Sequence, residues 1–185
     1  MKHILLSAAL AATAIAGEVN IVQLGPPDVI RLEIACDGIN QPIDLRFGGT
    51  TGGFVLPEKD AVITIPNQGI PALKIPATAS PNIAVLSPGP EGYRWTVIPG
   101  KPTDEKWAMR VVNLSAESAK LTREGDPLEI KPDDVTTIAV EDKTGMSVAI
   151  EGGKKFTYDG REPCAVVALI YQKEGEWQVL FVPDR

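Results

Sequence analysis

The sequence predicts an all-β protein: two tandem small β-sandwich domains behind an export signal. Three observations carry this expectation. Short apolar or alternating runs recur along the chain, each closed by Gly, Pro, Asn or Asp, the pattern of half-buried strands joined by turns. Prolines crowd the stretch from Pro57 to Pro102. Each removes an amide donor and clashes with the preceding turn, so no long helix fits there. Finally, segments of the first half recur in order in the second, as a duplicated unit would produce.

The elements follow in chain order. Met1-Lys2-His3 is a short positive start, Ile4 to Ile15 is uncharged and apolar or small, and Ala14-Ile15-Ala16 supplies the small-x-small pattern that precedes cleavage before Gly17. Residues 1–16 therefore read as a signal peptide, with a buried or pilin-type N-terminal helix as the alternatives. The run is too short for a spanning helix, which needs about 20 residues. Strands are expected at Val19–Gln23, Val29–Cys36, Ile43–Phe47, Ala61–Ile65, Ala72–Ile75, Ile83–Leu86 and Arg94–Ile98. After a linker at 101–106, rich in Pro and charge, they resume at Ala108–Leu114, Leu128–Ile130, Thr136–Val140, Ser147–Ile150, Ala165–Tyr171 and Trp177–Val182. Ser115–Glu124 has poor helical spacing and reads as a hairpin or a single helical turn.

The duplication sets the domain boundaries at 17–100 and 107–185. Ile30–Ile34 matches Met109–Asn113 through an apolar-Arg-apolar run. Phe54-Val55-Leu56-Pro57 followed by Ala61–Ile65 matches Leu128–Pro132 followed by Thr136–Val140, and Ile83–Leu86 matches Ala165–Leu169. The clearest match sets Glu91–Pro99, which holds Trp95, against Glu174–Pro183, which holds Trp177. Few contacts are expected across the junction between the two units.

Composition excludes several function classes. The 185 residues carry a formal charge of −6, so an acidic surface argues against a nucleic-acid or anionic-membrane partner. Signal cleavage removes His3, leaving no imidazole for Ser-His or Cys-His nucleophile activation or for the usual zinc sites. No Walker loop, no nucleophile elbow and no dinucleotide-binding glycine pattern is present. No cofactor and no metal is expected.

Few candidate site residues remain. Alternation puts Cys36 on one face with Leu32 and Ile34, and Cys164 on one face with Val166 and Ala168. Export favours a Cys36–Cys164 disulfide, whereas separate domains favour two core thiols. The loop Gly48–Gly53, with Gly49, Thr50, Thr51 and Gly52 at its centre, is the nearest thing to an anion cradle, although a hairpin or bulge explains it as well. Trp95 and Trp177 alternate as core anchors. Trp107, beside the linker, is the candidate for an exposed sugar platform, with packing between domains as the alternative. Asp133-Asp134, Glu58 with Asp60 and Glu141-Asp142 read as solvated turn charge. Asn113-Leu114-Ser115 matches a glycosylation acceptor.

Arg110-Val111-Val112-Asn113-Leu114-Ser115, followed by a hairpin and Ile130-Lys131-Pro132, resembles small exported bacterial immunoglobulin-like β-sandwich proteins. Examples are envelope proteins of verrucomicrobial and planctomycete bacteria and, distantly, the periplasmic accessory protein of alginate O-acetylation. The resemblance implies a non-catalytic periplasmic or secreted binding or assembly module, with envelope or appendage proteins as partners. It implies no catalytic residue. A carbohydrate-binding module, which would expose aromatics to a glycan, and a carboxylate-only glycan-active enzyme are the alternatives.

Overall fold

The computed structural model describes residues 18–25, 28–55, 59–76, 82–89, 92–100, 107–122, 127–140, 145–152, 154–160 and 164–184. These residues are essentially all strand and turn, with no α-helix among them. The first half holds β1 (Glu18–Gln23), β2 (Val29–Cys36), β3 (Ile39–Arg46), β4 (Thr50–Val55), β5 (Ala61–Thr64), β6 (Leu73–Ile75), β7 (Asn82–Gly89) and β8 (Gly92–Pro99). The second holds β9 (Ala108–Asn113), β10 (Ala119–Leu121), β11 (Leu128–Ile130), β12 (Val135–Ala139), β13 (Ser147–Ala149), β14 (Lys155–Thr157), β15 (Ala165–Lys173) and β16 (Glu176–Pro183). The segment after Ser115 is thus a bend leading into the β10–β11 hairpin. The proposed signal peptide and the 101–106 linker lie outside the described residues.

Both halves use one pairing plan. In the first, β4-β1-β7-β8 form one sheet and β3-β2-β5-β6 another; in the second, β12-β9-β15-β16 repeat the former. The hairpins β10–β11 and β13–β14 stand where the first half has its second sheet, and a bridge between Leu121 and Ile150 joins them. The opening strand of each half runs parallel to the penultimate one, β1 with β7 and β9 with β15. A parallel pair needs a long crossover, which the outer-layer strands supply.

Single hydrogen bonds fix the equivalence. The Leu24 amide donates to the Leu86 carbonyl at 2.8 Å, and the Leu114 amide to the Ile170 carbonyl at 2.8 Å. The repeat is therefore real in pairing, but part of the sequence alignment is one strand out of step. β9 is the counterpart of β1, so Met109–Asn113 does not match Ile30–Ile34 in β2. The expected pairing of the β4 and β5 segments with those of β11 and β12 is displaced likewise. The shared arginine misleads because its role differs: Arg31 is an exposed residue of β2, whereas Arg110 is buried. Ile83–Leu86 against Ala165–Leu169 keeps its strand. In the last strands Trp95 faces Leu86 and Trp177 faces Gln172, which makes Tyr93 the counterpart of Trp177, one same-face position away.

Three apolar clusters hold the layers together. Val19, Ile21, Ala84 and Leu86 of the β4-β1-β7-β8 sheet pack on Ile30, Leu32, Ile63 and Ile75 of its outer neighbour. Met109, Val111, Val166, Ala168 and Ile170 do the same against Ala119, Leu121, Ile130 and Val148 in the second half. The third cluster joins the halves: Val22, Ile83, Val85 and Ile98 meet Val112, Leu114, Val167, Leu169 and Val182. The central strands of the two inner sheets, β1, β7, β9 and β15, are thus buried on both faces, in a stack of four layers. The expectation of few contacts at the junction gives way to a shared core, because alternate residues of the inner strands serve opposite faces and both sets are apolar.

Candidate functional site

The seam between the inner sheets is where side chains of both halves converge. Equivalent turns frame it, Arg46–Gly49 before β4 and Lys131–Asp134 before β12. In each, the fourth amide donates to the first carbonyl, at 2.8 Å for Gly49 to Arg46 and 3.1 Å for Asp134 to Lys131. The third residue takes a positive φ, 68° at Gly48 and 64° at Asp133, a conformation free to Gly and tolerated by Asp. Pro132 presets the second position of its turn. Phe47 occupies that position in the first half, and its ring meets Tyr171 edge-on at 6.2 Å, with Lys173 Nζ 4.1 Å from its centre. At the other turn the Asp133 carboxylate takes two contacts from Arg94, each at 2.7 Å. Each half therefore grips the other through the same turn with different chemistry.

Beside the Arg94–Asp133 pair lies a groove of about 570 Å³, walled by Ser87, Pro88 and Gly89 on one side and by Leu114, Ser115, Tyr171 and Gln172 on the other. Its size falls within the range of small-ligand sites. Gly89 carries no side chain, so the Arg94 stem lies 3.2 Å from where a Cβ would stand. The second Arg94 amino group also donates to the Leu114 carbonyl at 3.3 Å. Two polar atoms here are enclosed without a hydrogen-bond partner, Ser87 Oγ and Arg94 Nε. Burial raises the Tyr171 phenol above its ordinary pKa, so it stays a protonated donor at neutral pH.

Next to the groove, the Asn113 side chain locks the bend after β9. Its amide nitrogen donates to the Glu117 carbonyl at 2.7 Å and the Ile130 carbonyl at 2.9 Å, while its oxygen accepts from the Ser115 amide at 3.0 Å and the Ser115 hydroxyl at 2.8 Å. Asn113 is fully buried. The Asn-Leu-Ser acceptor is therefore closed to glycan attachment in the folded chain. Asn113→Ala leaves several buried groups unpaired and is expected to lower stability by about 2 kcal/mol, read as a fall in the urea midpoint at unchanged slope.

The residues singled out from sequence fare differently. Gly49 ends the turn, and Thr50, Thr51 and Gly52 lie in β4. There the Ile21 amide donates to Thr51 Oγ1 at 3.0 Å, opposite an irregularity of β1 between Asn20 and Val22. The glycine-rich loop thus fills a bulge with its own hydroxyl. Trp107 is half-buried and packs against the outer core of the second half. Trp95 and Trp177 border the outer cores as expected. Cys36 and Cys164 are both free thiols. Each borders the outer core of its own half, Cys36 near the Lys59 and Asp60 carbonyls and Cys164 3.0 Å from the Tyr158 hydroxyl. Asp133 has a role beyond solvated charge. Ser87, Arg94, Tyr171 and Gln172 were not legible as a site, because the wall they form is assembled from both halves. No protein-family model matches the chain, and no curated protein matches it.

Proposed function

We propose that this chain is a non-catalytic exported module of the bacterial cell envelope or a surface appendage, which binds a partner protein by strand addition at a sheet edge. The observation that carries the reading is the outer strand β16. It runs for eight residues, Glu-Trp-Gln-Val-Leu-Phe-Val-Pro, and pairs through β15 alone among the described strands. Its side chains from Trp177 to Phe181 are half-buried, and no charge follows Glu176 until Asp184. Long apolar edges are what native sheets blunt with Pro, Lys or short length unless another strand is to pair there. β3 shows the contrast, since Pro42, Asp44 and Arg46 guard its edge. β8 occupies the corresponding outer place in the first half.

The tight hairpin turn at Glu174-Gly175 makes Lys173 and Glu176 the hydrogen-bonded closing pair. Alternation then turns the amides of Trp177, Val179 and Phe181 toward the open edge. Val179→Pro removes one outward donor and keeps the β15 ladder. The full chain, crosslinked in native envelopes, is expected to retain a reproducible envelope or appendage protein, and Val179→Pro to retain at least tenfold less while its circular dichroism is unchanged. Equal capture by both proteins would remove the edge from the reading.

A further inference from the structure

We propose that the groove at the seam is a binding site for a neutral, hydroxyl-rich ligand of mono- or disaccharide size. Ser87 is 1% exposed, lines the groove, and its hydroxyl has no hydrogen-bond partner. Arg94 stands directly opposite Ser87 on the β7–β8 ladder, so the two side chains share a face with their Cβ atoms about 5 Å apart. Arg94 Nε is likewise enclosed and unpaired. Leaving buried donors unpaired is costly, and buried polar groups are otherwise almost always bonded. Both atoms are closed over in the ligand-free fold, and a shift of the partly exposed Arg94 stem opens the space between them, where a ligand hydroxyl answers both, accepting from Arg94 Nε and donating to, or accepting from, Ser87 Oγ. A purely apolar ligand answers neither.

Charge selects within that chemistry. The Arg94 guanidinium is already neutralised by Asp133 through two 2.7 Å contacts, so an anionic ligand gains no free cation and meets the Asp133 carboxylate. Glu117 adds a second carboxylate nearby through its bond from Gln172 Nε2 at 3.1 Å. A cationic ligand would have to compete with Arg94 for Asp133. Tyr171 supplies an aromatic wall, the usual partner of the apolar patches of a sugar ring, and its protonated hydroxyl is one more donor. This site is independent of the β16 edge, so either can fail without the other.

The test titrates the full isotope-labelled chain with glucose, galactose, mannose, N-acetylglucosamine and cellobiose, with glucuronic acid as the charged counterpart, and follows backbone amide shifts. At least one neutral sugar should give saturable shifts at Ser87, Gly89, Ser115 and Gln172. Ser87→Ala should weaken its binding about five- to tenfold, the loss of one hydrogen bond. The same variant should melt no lower than the unchanged chain, because it removes a hydroxyl that bonds nothing in the ligand-free fold. Glucuronic acid should bind more weakly than glucose. Absence of saturable shifts with every sugar, equal affinity of Ser87→Ala, or tighter binding of the acid would each overturn the proposal.

Discussion

Asp184→Ala is expected to destabilise the chain by about 3 to 5 kcal/mol, the largest effect of any single polar substitution among the described residues. Asp184 lies just past β16 and takes both bonds of a forked pair from Arg110 on β9, each at 2.6 Å. Both partners are almost fully buried, with 10% and 3% of their side chains exposed. A third Arg110 nitrogen donates to the Pro99 carbonyl at 2.9 Å, so the pair ties the last strand of the first half to the second. Removing one partner strands the other as an uncompensated charge in a dry site, which is far costlier than the pair's net contribution. Arg110→Met with Asp184→Leu removes both charges and fills the space, and should recover most of the loss. Chemical denaturation of the three variants decides it. A double variant as unstable as Asp184→Ala would show that the pair's bonds, and not the stranded charge, set the cost.

This pair also shows how much was open to reading. The all-β class was legible because turn residues punctuate short apolar runs throughout, and tertiary packing has little scope to override proline and glycine. The alignment of the last two strands of each half was legible for the same reason, since Pro99 and Pro183 end equivalent strands. The first-strand alignment failed because Arg31 and Arg110 look alike as letters, and only burial separates them. The shared core does leave a mark in the sequence. Val166–Ile170 is apolar at every position and buried at every position, whereas a strand with one wet face alternates. The groove had no such signal. Its wall depends on Ser87 and Arg94 falling opposite each other, and on Asp133 reaching across from a turn of the other half. Spacing along a chain does not encode either relation.

The shared core leads to the second large effect. Leu169→Ala is expected to cost about 3 to 4 kcal/mol and to leave unfolding a single cooperative transition. Leu169 lies on β15 with no exposure, on the face turned toward the first half, among Val22, Ile83 and Val85 as well as Val167 and Val182. Truncation loses the transfer free energy of three buried carbons and leaves a cavity that two rigid sheets cannot readily close. A leucine in an outer core, such as Leu32 of the first half, has a similar local cost but touches only one half. The distinction lies in cooperativity. The seam is built of both inner sheets and is closed by Arg110–Asp184 at one place and Arg94–Asp133 at another. Neither half can therefore unfold without exposing the other's inner face. Val167→Asp places an unpaired charge in that layer and should do what Leu169→Ala does not, splitting the melt into two transitions as the halves lose their shared face. Calorimetry reads the difference. Two transitions for the unchanged chain would show that the halves melt separately and that the seam contributes little to the fold, and one transition for Val167→Asp would show that a charge in the shared layer does not uncouple them.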